Sequence, residues 1–314
     1  MVSFESYILK QQYQKVAALG DRLSRVDELI NWQPFRKIVA GIYDNTSPKG
    51  GRPNTDPVVM IKLLLLQAWY NLSDQELEYQ VSDRVSFLRF LGFPDKAPDY
   101  STVWRFRERL AKTGKDKKIW DELQRQLDAR GLSVRKGVMQ DATFITADPG
   151  HATADKPRGE GARTRRNKEG TWVKKGGRSY YGYKLHSKVD RDYQLIRAIE
   201  TTPSSVHDSQ VDLSLPGEVV YRDRGYSGAA AQGHNASMKK GARDHPIGIR
   251  DQLRNARISK KRTPVERHYA VIKTQYGSGH VRVTTLARTR VKNTFACFCF
   301  NLDQLATLRR QGVA

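Results

Sequence analysis

Gly137-Val-Met-Gln-Asp-Ala-Thr-Phe144 marks the point at which this 314-residue chain changes character. Up to about residue 130 the sequence reads as helix; from Val134 it reads as short strands, and this first one carries an acid, Asp141, near its end. Further along, Tyr181, Tyr183, Leu185 and Val189 alternate with Lys184, His186 and Lys188, the period of a strand with one apolar and one basic face. Gln194 to Glu200 follows across the turn Asp190-Arg-Asp192 as a hairpin partner. Glu218-Val-Val-Tyr-Arg-Asp223 is another strand, stopped by Arg224-Gly225. Helices are expected from Thr263 to Tyr276 and from Thr285 to Arg309. The class is therefore α/β, with an all-helical region at 1–130 and a strand-containing region at 131–314. Residues 149–179, rich in Gly, Arg and Lys and without periodicity, read as a basic loop.

Upstream, the helices announce their own ends. Asp56-Pro57 caps and opens the apolar run Val58 to Tyr70. Ser73 with Glu76 three residues on is a capping box. The run Ser86 to Leu91 stops at Gly92, and Asp99-Tyr-Ser101 leads into Thr102 to Leu110. In that last helix Val103, Phe106 and Leu110 share one face, while Arg105 and Arg109 lie four apart on another. Those two arginines suit either a helix presented to DNA or a solvated face of a packing helix.

Charge narrows the partners. Lys and Arg number 55 against 33 Asp and Glu, a formal charge of +22, yet 38% of residues are hydrophobic, so the chain can bury cores and is not a disordered polycation. The excess is concentrated: residues 156–188 carry +9 and residues 239–292 carry +12. Two basic blocks separated by acidic stretches suit a phosphate-binding surface, and nucleic acid is the expected partner. Cys297 and Cys299 are too few for a disulfide framework and wrongly spaced for a zinc knuckle. The N-terminus lacks the apolar core of a signal peptide and no run is long enough to span a bilayer, so a cytoplasmic, nucleoid-associated protein with no membrane partner is expected.

Three carboxylates stand at the ends or beginnings of elements: Asp141, Asp223 and Glu266. Brought together by neighbouring strands and a packed helix, they would suit phosphodiester chemistry, in which divalent ions held by oxygen ligands stabilise the attacking and leaving oxygens. Each also has a plain structural reading: Asp141 as an Asx turn, Asp223 as a turn residue, Glu266 as the capping partner of Thr263. Spacing alone leaves Asp148, Asp190, Asp192, Asp208, Asp212, Asp244 and Asp251 open as well.

Gly51-Arg-Pro53, the run LLLLQAWYNLSDQELEYQVSDRVSFLRFLGF and the helix DYSTVWRFRERL resemble the N-terminal region of DDE transposases from prokaryotic insertion sequences, of the family numbered five. MQDATF, YGYKLHSKVD, TTPSSVHDS, VVYRDRGYSG and RTPVERHYAVIKTQYG are similar, in order and spacing, to that family's catalytic domain. The resemblance implies an RNase H-like mixed-sheet catalytic domain after the helical domain, with Asp141, Asp223 and Glu266 as the catalytic acids and the ligands of magnesium, for which manganese would substitute. It also implies an enzyme that binds the terminal inverted repeats of its element, cleaves the DNA and joins it to a target, working as a homodimer or higher on double-stranded DNA.

Related transposases show Tyr, two residues, Arg, three residues, Glu, six residues, Lys. Arg262, Glu266 and Lys273 fit this signature, but Ser259 stands at the Tyr position. On helical spacing Arg262, Glu266 and Lys273 line one face, beside an apolar stripe of Val265, Tyr269, Ile272 and Tyr276. Arg262, Lys273, Arg267, Lys184, Arg105 and Arg109 are the expected DNA-binding residues. Two rival readings share these features: a DNA-binding regulator that has lost its chemistry, and a nuclease without strand transfer.

Overall fold

The computed structural model describes residues 4–43, 54–150, 167–242 and 245–313. Gly51-Arg-Pro53 and residues 151–166 of the expected basic loop lie outside the described residues. The chain divides into two compact units, Met1–Gly131 with Thr294–Ala314, and Leu132–Asn293. The expected division at residue 130 assigned the last segment to the strand region; its contacts place it with the helices.

The helical unit contains α1 (Phe4–Ala18), α2 (Arg22–Asp27), α3 (Gln33–Val39), α4 (Pro57–Trp69), α5 (Asp74–Asp83), α6 (Val85–Leu91), α7 (Tyr100–Thr113) and α8 (Lys115–Ala129). Local chemistry sets the boundaries. Asp56 caps α4 by accepting from the Val58 N–H, and Pro57 occupies the first turn, where a missing N–H costs nothing. Ser73 accepts from Glu76 N–H, Asp99 accepts from Thr102 N–H, and Gly92 closes α6 in the left-handed region. The unit's core is apolar, with α4 contributing Met60, Ile61, Leu63, Leu64, Leu65 and Leu66, all buried. Cys297 and Cys299 are buried without a disulfide, and burial pushes both thiols up in pKa, so they act as packing groups.

The second unit is built on a seven-stranded mixed sheet: β1 (Val138–Ala147), β2 (Thr171–Lys175), β3 (Arg178–Asp190), β4 (Ile196–Pro203), β5 (Val219–Arg222), β6 (His234–Ser237) and β7 (His280–Val281). α9 (Ile249–Arg262) and α10 (Val265–Thr274) follow β6, and α11 (Leu286–Arg310) closes the chain. β1 pairs antiparallel with β3, and β3 antiparallel with β4. On its other edge β1 runs parallel to β5, and β5 parallel to β6. The order β4-β3-β1-β5-β6, antiparallel on one side of β1 and parallel on the other, is the mixed sheet of an RNase H-like domain. Gly137 immediately precedes β1 with φ +95, and a Cβ there would come within 2.6 Å of the Val219 carbonyl oxygen, so glycine lets β1 start against β5.

Three expectations need correction. Part of the basic loop is a hairpin: β2 pairs with the first residues of β3, Thr171 opposite Gly182 through Lys175 opposite Arg178. β3 is also not half-exposed. From Gly182 to Asp190 every residue is buried, in a strand paired along one edge with β1 and along the other with β4. Its basic face is neutralised internally: Lys184 pairs with Asp208 at 2.8 Å, Lys188 with Glu218 at 2.8 Å, and burial holds His186 neutral with its pKa down to about 4. Finally, a helix absent from the sequence reading, α9, precedes the one carrying Glu266.

The parallel junction of β1 and β5 is locked from within. Arg222, 0% exposed, donates from Nε and Nη2 to Gln140 Oε1 at 3.2 and 2.9 Å, from Nη1 to the Ala230 carbonyl at 3.0 Å, and from Nη2 to Asp212. Removing one partner of a buried ion pair leaves desolvated charge behind, at a cost of about 3–5 kcal/mol. Arg222→Ala is therefore expected to lose about 3 kcal/mol or more in urea denaturation monitored by circular dichroism, whereas Arg224→Ala on the exposed side should stay within about 0.5 kcal/mol of wild type.

Candidate active site

The register of β1 and β5 brings two of the acids together. Val138 pairs with Val220 and Met139 with Tyr221. Continued by two residues, that register sets Asp141 beside Asp223. Asp223 stands just beyond β5 with extended backbone and caps a short 3-10 turn, Arg224–Tyr226, by accepting from the Gly225 N–H at 2.8 Å. The turn-residue reading of Asp223 holds, and one of its oxygens serves that turn.

Asp141 is partly buried, with 21% of its side chain exposed. Its pKa is pushed up to about 6, first by burial, and further by the negative charges of Asp223 and Asp208. Arg262 Nη2, 3.4 Å from Asp141 Oδ2, and the Ala142 N–H pull in the opposite direction. Desolvation outweighs the arginine, so burial is what makes the ionised form of Asp141 costly.

Glu266 occupies the first turn of α10, is exposed, and makes no hydrogen bond or ion pair among the described residues. The capping-box reading of Glu266 does not hold: Thr263 ends α9 and its hydroxyl donates to the Ser259 carbonyl, while Pro264 starts α10 without a side-chain cap. α10 meets the sheet through the buried stripe Val265, Tyr269, Ile272 and Tyr276. Tyr269 also donates from its hydroxyl to the Asp141 main-chain carbonyl at 2.6 Å. The helix carrying Glu266 is therefore bonded to the strand residue carrying Asp141. Among the described residues, no three His, Cys, Asp or Glu side chains are gathered as a set that could hold one ion. The structure joins Asp141 to Asp223 and ties in the helix of Glu266, without closing the three into a trio.

The expected DNA-binding residues are distributed unevenly. Arg262 ends α9 and lies on Asp141, so it is on a different helix from Glu266 and Lys273; Pro264, lacking an N–H, divides what the spacing read as one helical face. Lys273 is half-buried, and burial and Lys175 lower its pKa. Arg267 is exposed on α10. Lys184 is 7% exposed and its ammonium is committed to Asp208 and the Val206 carbonyl. Arg105 and Arg109 belong to the helical unit, Arg105 exposed and Arg109 with its guanidinium 5.4 Å from the Tyr43 ring centroid.

The surroundings of two further sets of residues were not foreseen from the sequence. Asp208, which spacing left open among the other acids, faces Lys184 and adds to the field at Asp141, while His207 accepts from Ser209 N–H as the cap. On α9, Arg250, Arg257 and Lys260 are exposed and form no ion pair among the described residues. The string IRDQLRNARISKKR carried a signal for them in its charge, but not in its apolar spacing.

Residues 10–109 match the transposase domain family (DUF772), and residues 133–302, over half of the chain, match the transposase DDE domain family. No solved structure matches the chain significantly. The chain belongs to the DDE transposases of insertion sequences. Membership makes it an enzyme of DNA cutting and joining that depends on a divalent metal. No described helix is long and apolar enough to cross a membrane.

The field at Asp141 has a measurable consequence. Its folded pKa of about 6 lies above the ordinary carboxylate value, 3.8, so the folded protein keeps a proton that the unfolded chain has released. The ionised group thus costs stability in full above about pH 6, and the cost vanishes below about pH 4. In EDTA, Asp141→Asn should melt several degrees above wild type at pH 7.5, with the gap closing toward pH 4 in differential scanning calorimetry.

Proposed function

We propose that this transposase binds the terminal inverted repeats of its own insertion sequence, cleaves the DNA there and joins the freed ends to a target, using Asp141, Asp223 and Glu266. The observation that carries this reading is the partly buried Asp141 carboxylate beside Asp223, with the Glu266 helix bonded to the Asp141 main-chain carbonyl. The donor types suit a hard divalent cation: carboxylate oxygens only, at a partly desolvated Asp141 with Asp223 nearby. Asp141, Asp223 and Glu266 would hold it. Magnesium, or manganese in its place, supplies electrostatic stabilisation of the attacking and leaving oxygens of the phosphodiester in a two-ion arrangement.

The chain's own residues do the rest. Arg262, 15% exposed on its side chain and already at the acids, would turn to a non-bridging phosphate oxygen, and Lys273 would hold a second phosphate. Arg267 with Arg250, Arg257 and Lys260 of α9 would carry the duplex toward the acids through phosphate contacts that need no base recognition. Arg105 and Arg109 would contribute from the helical unit, and Lys184 would serve indirectly by fixing Asp208. Two DNA ends are required for joining, so at least a homodimer assembles on DNA, in the cytoplasm at the nucleoid.

A labelled duplex carrying an element end, incubated with magnesium and a target plasmid, tests the reading. Asp141→Asn and Glu266→Gln should each lower cleavage by at least 1,000-fold, on the order expected for losing a catalytic metal ligand, while end binding stays within a few fold. Wild-type cleavage by either variant would sink the assignment, and cutting without joining would make the protein a nuclease. Replacing Arg250, Arg257 and Lys260 together by Ala should reduce the slope of log K against log salt by about 2 to 3, at roughly 0.9 per phosphate contact.

A further inference from the structure

The acids are held by a hydrogen-bond chain that the reaction itself does not use. Ser187 is the register partner of Asp141 across β1 and β3. Its Oγ lies 2.7 Å from Tyr269 Oη and 2.7 Å from His268 Nε2, and Tyr269 Oη donates to the Asp141 carbonyl at 2.6 Å. Each hydroxyl has one proton, which fixes the direction of the chain. Tyr269 spends its proton on Asp141, so Ser187 must give its proton to Tyr269, and the Ser187–His268 contact must be filled by a proton on His268 Nε2. The opposite histidine tautomer would leave one of the three short contacts without a hydrogen. All three side chains are buried.

We propose that Tyr269 and Ser187, backed by His268, are positioning residues that set the separation of Glu266 from Asp141. The inference rests on reading Asp141 and Glu266 as the reacting acids. The apolar stripe on α10 holds that helix against the sheet but leaves its height along its own axis loosely specified, because dispersion contacts are non-directional. Hydrogen bonds of 2.6–2.7 Å are directional, and this chain ends on the main chain of Asp141 from a side chain three residues beyond Glu266 on the same helix. A sliding or tilting α10 would break it before it broke the stripe. Groups in this position around metal-binding carboxylates and imidazoles typically matter 10- to 100-fold.

Full-length Tyr269→Phe, Ser187→Ala and the double variant test this. Four quantities are needed: melting temperature, end-binding affinity, the single-turnover cleavage rate, and manganese affinity of the protein–DNA complex read by electron paramagnetic resonance. End binding is expected within about two-fold of wild type. Cleavage should fall by roughly 10- to 100-fold, manganese should bind about 10-fold more weakly, and saturating manganese should recover part of the rate. The double variant should be no slower than the slower single one, since both remove the same chain. Should Tyr269→Phe fail to fold, Ser187→Ala removes one oxygen from the middle of the chain and carries the same test. Wild-type rate and manganese affinity in the variants that fold, or losses that follow melting temperature and do not respond to manganese, would overturn the proposal. Equal manganese affinity in Asp141→Asn and wild type would instead overturn the assignment of the acids.

Discussion

Everything at the site depends on the buried guanidinium of Arg222. A charge with no solvent exposure costs several kcal/mol unless each of its donors is met, and here Gln140, Ala230 and Asp212 meet them. That requirement admits one alignment of β1 with β5. Gln140 and Arg222 each precede an acid by one residue, and successive strand residues point to opposite faces. The polar lock therefore lies on one side of the sheet and Asp141 and Asp223 on the other. A slip of one residue would put the lock where the acids stand and separate the acids.

Two like charges are then set near one another, with Arg262 and the Ala142 N–H acting against the repulsion at Asp141. Arg262 approaches Asp141 only to 3.4 Å, and Asp208 adds a third negative charge nearby. Lys184 is spent on Asp208 and Lys188 on Glu218. The large positive charge of the chain is thus of two kinds. At Lys184 and Lys188 of β3 it is internal and already neutralised, whereas on α9 Arg250, Arg257 and Lys260 meet solvent with no acidic partner among the described residues. Only the second kind can meet a phosphate, so Lys184 and Lys188 do not add to the cationic surface.

Much of the framework was legible in the sequence because local chemistry wrote it. Asp56-Pro57, Ser73, Gly92 and Asp99 act as the helix punctuation that their residue types imply. Gly137 to Phe144 and the alternating Tyr181 to Val189 lie in true strands, and the apolar stripe of α10 is buried as its spacing indicates. What was illegible depends on what covers a face. Period-2 spacing locates the Lys184, His186 and Lys188 face but cannot show that it is buried. α9 hid because its buried positions include Asn255, while its apolar Ile249 and Leu253 are 76% and 57% exposed, the reverse of the usual signal. The three acids were nameable, but not the Ser187–Tyr269 link, since nothing local ties residue 187 to residue 269.

The claim that most needs a direct measurement is that Asp141, Asp223 and Glu266 share bound metal. Iron(II) replacing magnesium in the protein–DNA complex, with ascorbate and peroxide, generates hydroxyl radicals that cut the polypeptide beside the metal. The account predicts main-chain cuts at three places, around residues 141, 223 and 266, all lost in Asp141→Asn. Cuts clustered elsewhere, or a pattern unchanged by Asp141→Asn, would contradict it.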